Sequence, residues 1–144
     1  MSYVKIWLHC VWGTKNRIPF LNNKNKIFIL EHIKTNARNK AIHIDFINGY
    51  KEHIHCLLSL KPDQMLSKCM QLIKGESSYW INKNQLSAGK FEWADEYFAV
   101  SISDSQVNRV RKYIKNQETH HQHESWEEEY LRFLSDYGSE SVQG

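Results

Sequence analysis

A chain of 144 residues, 41% hydrophobic and 24% charged, has the make-up of one globular domain and excludes wholesale disorder, collagen-like structure and coiled coil. Its uncharged apolar runs fall far short of the roughly 20 residues that cross a bilayer, and Lys5 and His9 break up the apolar start, so a soluble, cytoplasmic protein is expected. The net charge of +3 is uneven: residues 1–91 hold 14 Lys and Arg against 5 Asp and Glu, residues 92–144 hold 5 against 11, and the basic front portion suits a polyanionic partner.

Residues 3–12 alternate, with Val4, Ile6, Leu8, Cys10 and Trp12 on one side and Lys5, Trp7, His9 and Val11 on the other, as a strand requires. Gly13 ends it and Thr14 to Pro19 forms a loop. Ile27, Leu30 and Ile33 at helical spacing predict a helix over about 23–38. A strand near 42–48, a turn at Gly49 to Glu52 and a strand over 53–60 follow. Pro62 closes the third strand, and Asp63 can cap a helix over about 64–82 striped by Met65, Leu66, Cys69, Met70 and Ile73, with Gly75 as a bend. A fourth strand fits 97–103, a helix with Val107, Val110 and Ile114 inward runs to about 118, and an amphipathic segment carrying Trp126 and Tyr130 spans 125–134. The three cysteines, Cys10, Cys56 and Cys69, are an odd number without a CxxC pair and read as small buried hydrophobes.

The order β-α-β-β-α-β followed by helices predicts an α+β chain. It is the ferredoxin-like split-βαβ antiparallel sheet with additional C-terminal helices. One domain spans 1–144, with a core over about 3–119 and a helical extension over about 120–144. Strands one and three are then central and both crossover helices lie on one face. The other face is left open unless the C-terminal helices or a second subunit cover it, and an open face would make a nucleic-acid platform.

His53-Ile54-His55 puts two imidazoles on one strand face about 7 Å apart, close enough to share a divalent ion if a third group joins them. Two half-exposed histidines with no task give the same pattern. Tyr113 and Gln117 are one helical turn apart, with Tyr113 off the centre of the inward stripe. Arg109, Arg111, Lys112 and Lys115 on the same helix give it a local positive field suited to a phosphate. Trp80 and Trp93 fit core packing better than stacking on unpaired bases. His120, His121 and His123 read as a polar linker at a helix end, and Glu127 to Glu129 as a solvated helix face.

His-x-His on strand three, followed by a helix with Tyr113-Ile114-x-x-Gln117, resembles the single-tyrosine HUH transposases of the IS200/IS605 type. Four further segments match in the expected order across residues 3–137. They are His9-Cys10-Val11-Trp12-Gly13-Thr14-Lys15-Asn16-Arg17, Leu72-Ile73-Lys74-Gly75-Glu76-Ser77-Ser78, Phe98-x-Val100-Ser101 and Asn116-Gln117-x-x-His120-His121. The set is most similar to the REP-associated branch. The resemblance implies that His53, His55 and Gln117 hold Mg²⁺ or Mn²⁺ at a scissile phosphate, and that Tyr113 attacks to give a 5′-phosphotyrosine link and a free 3′-OH. It implies a partner in single-stranded DNA with hairpin-containing ends, and a homodimer. Lys15, Arg17, Lys74, Arg111 and Lys112 are the candidate DNA-backbone contacts. The alternative is an inactive relative that only binds nucleic acid. A plain RNA-binding module of the same order would need base-stacking aromatics where strand three has His53 and His55.

Overall fold

A computed structural model describes residues 2–117, 126–133 and 135. Four strands, β1 (Trp7–Gly13), β2 (His43–Tyr50), β3 (His53–Ser59) and β4 (Phe98–Ile102), form one antiparallel sheet in the order β2-β3-β1-β4. Helices α1 (Lys26–Asn39) and α2 (Leu66–Lys83) make the crossovers, and α3 (Val107–Lys115) and α4 (Trp126–Phe133) follow β4. This is the expected α+β split-βαβ arrangement, with β1 and β3 at its centre.

Parity along the central strands separates two cores. Cys10 and Trp12 of β1 and Ile54, Cys56 and Leu58 of β3 face Ile29, Leu30 and Ile33 of α1 and Cys69, Met70, Ile73 and Ile81 of α2. All three cysteines are buried and free, and burial pushes the Cys10 thiol up to about 12, so it packs as a hydrophobe. Trp93 belongs to the same core, donating Nε1–H to Ser77 Oγ at 2.9 Å, while half-buried Trp80 stacks on His32. On the opposite face Trp7 and Leu57 meet Val107, Val110 and Ile114 of α3 and Tyr130 of α4. Of the covers the sequence allows for this face, the structure shows the chain's own C-terminal helices.

Two further expectations are corrected. The alternation of residues 3–12 predicts a strand from Tyr3, but β1 starts at Trp7, because its neighbour β3 ends at Ser59, opposite Trp7. Alternation continues for four residues past the last ladder partner, and Tyr3 and Val4 are exposed. Nor does Gly75 bend α2, which runs through it unbroken; a Cβ there would meet nothing within 4 Å.

The turn into β3 is held tightly. Lys51 takes a left-handed φ of 51°, and its carbonyl accepts from the amides of both Phe20 and Leu21 at 2.9 Å, which fixes the strained residue in place. At Gly49 a Cβ would lie 2.7 Å from the His53 carbonyl oxygen, so only glycine lets β2 come this close to the start of β3.

Candidate active site on the covered sheet face

His53 and His55 share the face of β3 that looks toward α3, with ring centroids 5.0 Å apart. Val11 of β1 pairs with His55, and Leu57 with His9, so His9 and His55 are diagonal neighbours on that face. His9 Nε2 and His55 Nδ1 lie 2.8 Å apart. His9 is wholly buried, and desolvation lowers its pKa to about 3, so its imidazole is neutral. His53 Nδ1–H donates to Glu52 Oε1 at 3.2 Å. Burial works to raise the Glu52 carboxyl, but the hydrogen bond from His53, with a contribution from Arg17, carries it below its ordinary value.

Tyr113 is 5% exposed and faces this group, its ring centroid 5.7 Å from that of His55 and 6.0 Å from that of His9. Asn48 sets the position of the helix. Its Nδ2 donates to the carbonyls of Ile114 and Lys115 at 2.9 and 3.0 Å, satisfying the C-terminal end of α3 from β2, and Asn48 is itself the ladder partner of His55. Gln117 follows just beyond that end, buried, with Nε2–H donating to the Tyr113 carbonyl at 3.2 Å.

The lid of the site is α4. The Tyr130 ring lies edge-on to His9 at 4.2 Å, the Phe133 ring meets Tyr113 at 4.4 Å, and the Glu129 carboxylate acts electrostatically on the Tyr113 hydroxyl. Burial raises the phenol pKa far above its usual value near 10, the Glu129 charge adds to that, and Gln117 and Arg132 oppose it. Glu129 is thus buried in the site, not on the solvated face expected for Glu127 to Glu129; Glu128 of that run is exposed. His120, His121 and His123 lie outside the described residues.

Among the described residues no three His, Cys, Asp or Glu are grouped to hold a metal ion, so a divalent ion would need a donor of another type beside the histidines. Gln117 offers an amide oxygen. His53 Nε2 is buried with no hydrogen-bond partner among the described residues, which is how a nitrogen reserved for a cation is left. A buried phenol, two imidazoles on one strand face and an amide one turn from the phenol together fit metal-assisted attack on a phosphodiester.

Residues 2–117 match the family profile described as "Transposase IS200 like". The chain belongs to the IS200-like transposase family. This transposase is 24% identical over 115 residues to ISDra2 transposase TnpA of Deinococcus radiodurans, an alignment covering 76% of this chain and 81% of that one. Its fold is similar to that of a protein assigned as a transposase from Deinococcus radiodurans, with a TM-score of 0.65, 21% identity, and coverage of 81% of this chain and 95% of that one. It is also similar to a REP-associated tyrosine transposase solved with a REP hairpin, with a TM-score of 0.59, 19% identity, and coverage of 79% and 67%.

The cations of the transposase are placed unequally. Lys15, exposed, pairs with Glu92 at 3.2 Å, and exposed Arg17 sits within electrostatic reach of Glu52. Lys74 instead points its ammonium at the carbonyls of Ala94, Asp95 and Glu96, at 2.7, 3.0 and 3.3 Å, and desolvation lowers its pKa. Arg111 grips Asp45 through Nε and Nη2 at 2.7 and 2.8 Å, while Lys112 is exposed. Sequence reasoning missed His9 and Glu129 as parts of the site. For His9 the signal was strand parity: it shares a side of β1 with Trp7 and Val11, and that side meets His53 and His55. The Glu127–Glu129 run carries no comparable mark.

Proposed function

We propose that this transposase cuts and rejoins single-stranded DNA through a covalent 5′-phosphotyrosine link at Tyr113. The observation that carries the reading is the meeting, within one chain, of the Tyr113 ring with His55 at 5.7 Å, beside a buried His53 Nε2 that lacks a protein partner among the described residues. Tyr113 Oη attacks phosphorus, the bond to the 3′ oxygen breaks, and the phenolic proton ends on that oxygen as a free 3′-OH. The phosphodiester's energy is kept in the new ester, so rejoining needs no nucleotide cofactor.

His53 and His55, with the Gln117 amide oxygen, would hold Mg²⁺ or Mn²⁺, and two imidazoles tilt that choice toward Mn²⁺. Such an ion polarises the scissile phosphate and neutralises charge as the bond order changes. Burial under α4 and the negative charge of Glu129 keep the Tyr113 hydroxyl protonated while it is covered.

The REP hairpin bound by a structural relative supports hairpin-containing DNA ends as the substrate in the cytoplasm. A homodimer is part of this reading only as the assembly that holds two such ends, because Tyr113 lies beside the histidines of its own chain.

The test is a denaturing gel of labelled single-stranded oligonucleotides from the gene's own flanks, with Mn²⁺ or with EDTA. A metal-dependent protein–DNA adduct, absent in Tyr113→Phe although that variant binds the same strands, is the expected result. Tight binding with no adduct in the wild type would identify an inactive, nucleic-acid-binding relative.

A further inference from the structure

His9 lies outside the set of residues assigned to the reaction, yet its ring meets that of His55 directly. Its Nε2 is 2.8 Å from His55 Nδ1, a distance that requires one proton between the two nitrogens. A neutral imidazole carries one N–H and one lone pair, so the pair has two arrangements. If His9 donates, His55 carries its proton on Nε2 and cannot use that nitrogen as a ligand. If His55 donates, its lone pair is on Nε2, on the far side of the ring from His9.

His53 shows the same design with a partner that leaves no choice. A carboxylate only accepts, so His53 Nδ1 carries the proton toward Glu52 and the lone pair falls on the buried Nε2. Metal-bound histidines generally have their second nitrogen fixed in this way by a group outside the ligand set. For His53 that group is the carboxylate in the turn before it, and for His55 it is an imidazole on the neighbouring strand. The β1–β3 ladder holds the two rings in register, and the Tyr130 ring edge-on at 4.2 Å shields His9 from competing water.

We infer that His9 is a positioning residue of the metal centre, accepting the Nδ1–H of His55 so that Nε2 of His55 is the nitrogen offered to the ion. The inference rests on reading His53, His55 and Gln117 as that centre.

The test measures Mn²⁺ affinity of the full chain for the wild type, His9→Gln, His9→Leu and His53→Ala. Long-range proton–nitrogen spectra of the histidine rings of the wild type at saturating Mg²⁺ accompany it. A glutamine carbonyl reaches the place of His9 Nε2 and accepts in its stead, so His9→Gln should bind Mn²⁺ much as the wild type does. His9→Leu should lose roughly 10–100-fold in affinity, as removal of such an outer partner does. The spectra should place the His55 proton on Nδ1. A His55 proton on Nε2 would overturn the inference, whether or not His9→Leu folds, and so would unchanged affinity in folded His9→Leu. If His53→Ala also binds Mn²⁺ like the wild type, the metal centre itself is misassigned and this inference falls with it. Loss in His53→Ala alone would leave the centre standing and remove only His9.

Discussion

Arg111 sits two residues before Tyr113, but its guanidinium is turned away from the site, with Nε and Nη2 on Asp45 and Nη1 on Asn108 at 2.8 Å. The bond from Arg111 is the main reason that the Asp45 carboxyl is held below its usual range. A carboxyl with a lowered folded-state pKa stabilises the fold above its unfolded pKa near 4, and that contribution is lost as pH falls through the folded value. Asp45→Asn should therefore cost about 1 kcal/mol at neutral pH, the upper end for a half-exposed but bidentate pair. Denaturant melts of the two proteins should converge once the pH has fallen below the lowered folded-state value of Asp45; a difference that persists there would assign the cost to something other than charge. The sequence made Arg111 visible as a cation but not as a committed one, because its partner is 66 residues away on β2. The histidine pair was legible from strand parity alone. The same parity puts His9 on their side of the neighbouring strand, but nothing in the sequence marks its 2.8 Å contact with His55.

At the level of elements, α4 controls access. Its described span, Trp126–Phe133, is held over the site by the rings of Tyr130 and Phe133. On the proposed mechanism a phosphate would reach Tyr113 Oη only once that cover lifts. Replacing both rings, Tyr130→Ala with Phe133→Ala, should speed adduct formation on single-stranded DNA and lower Tm, because it removes the packing that keeps the phenol dry. A slower adduct would instead make α4 part of the reacting assembly. The strand order could be read from turn signals and hydrophobic period, and the C-terminal helices were one cover the sequence allowed, but the burial of Tyr113 beneath them could not be read. The stripe of α3 shows Tyr113 off centre only when the helix is considered alone; α4 supplies the second wall that buries it. The start of β1 was misplaced for a related reason: alternation is a property of one strand, but a ladder needs two.

Over the whole molecule the basic residues divide into those free to meet a polyanion and those already engaged. Lys15 and Arg17 stand in the exposed loop after β1, near the His53 end of the sheet, and the Lys15–Glu92 pair is solvent-exposed and weak. Neutralising both should reduce the slope of log affinity against log salt by about 1.4 for single-stranded DNA, which is about 0.7 for each phosphate left without its cation. An unchanged slope would take this loop out of the DNA path. Lys74 should behave differently, since its three carbonyl bonds tie residues 94–96 to α2 and leave it little to offer a phosphate. The grip of Asn48 on the end of α3 also has a genetic meaning. On the proposed mechanism the nucleophile is fastened to its own sheet, so defects in Tyr113 and in His53 should not complement one another: a mixture of Tyr113→Phe and His53→Ala chains should form as little protein–DNA adduct as either alone.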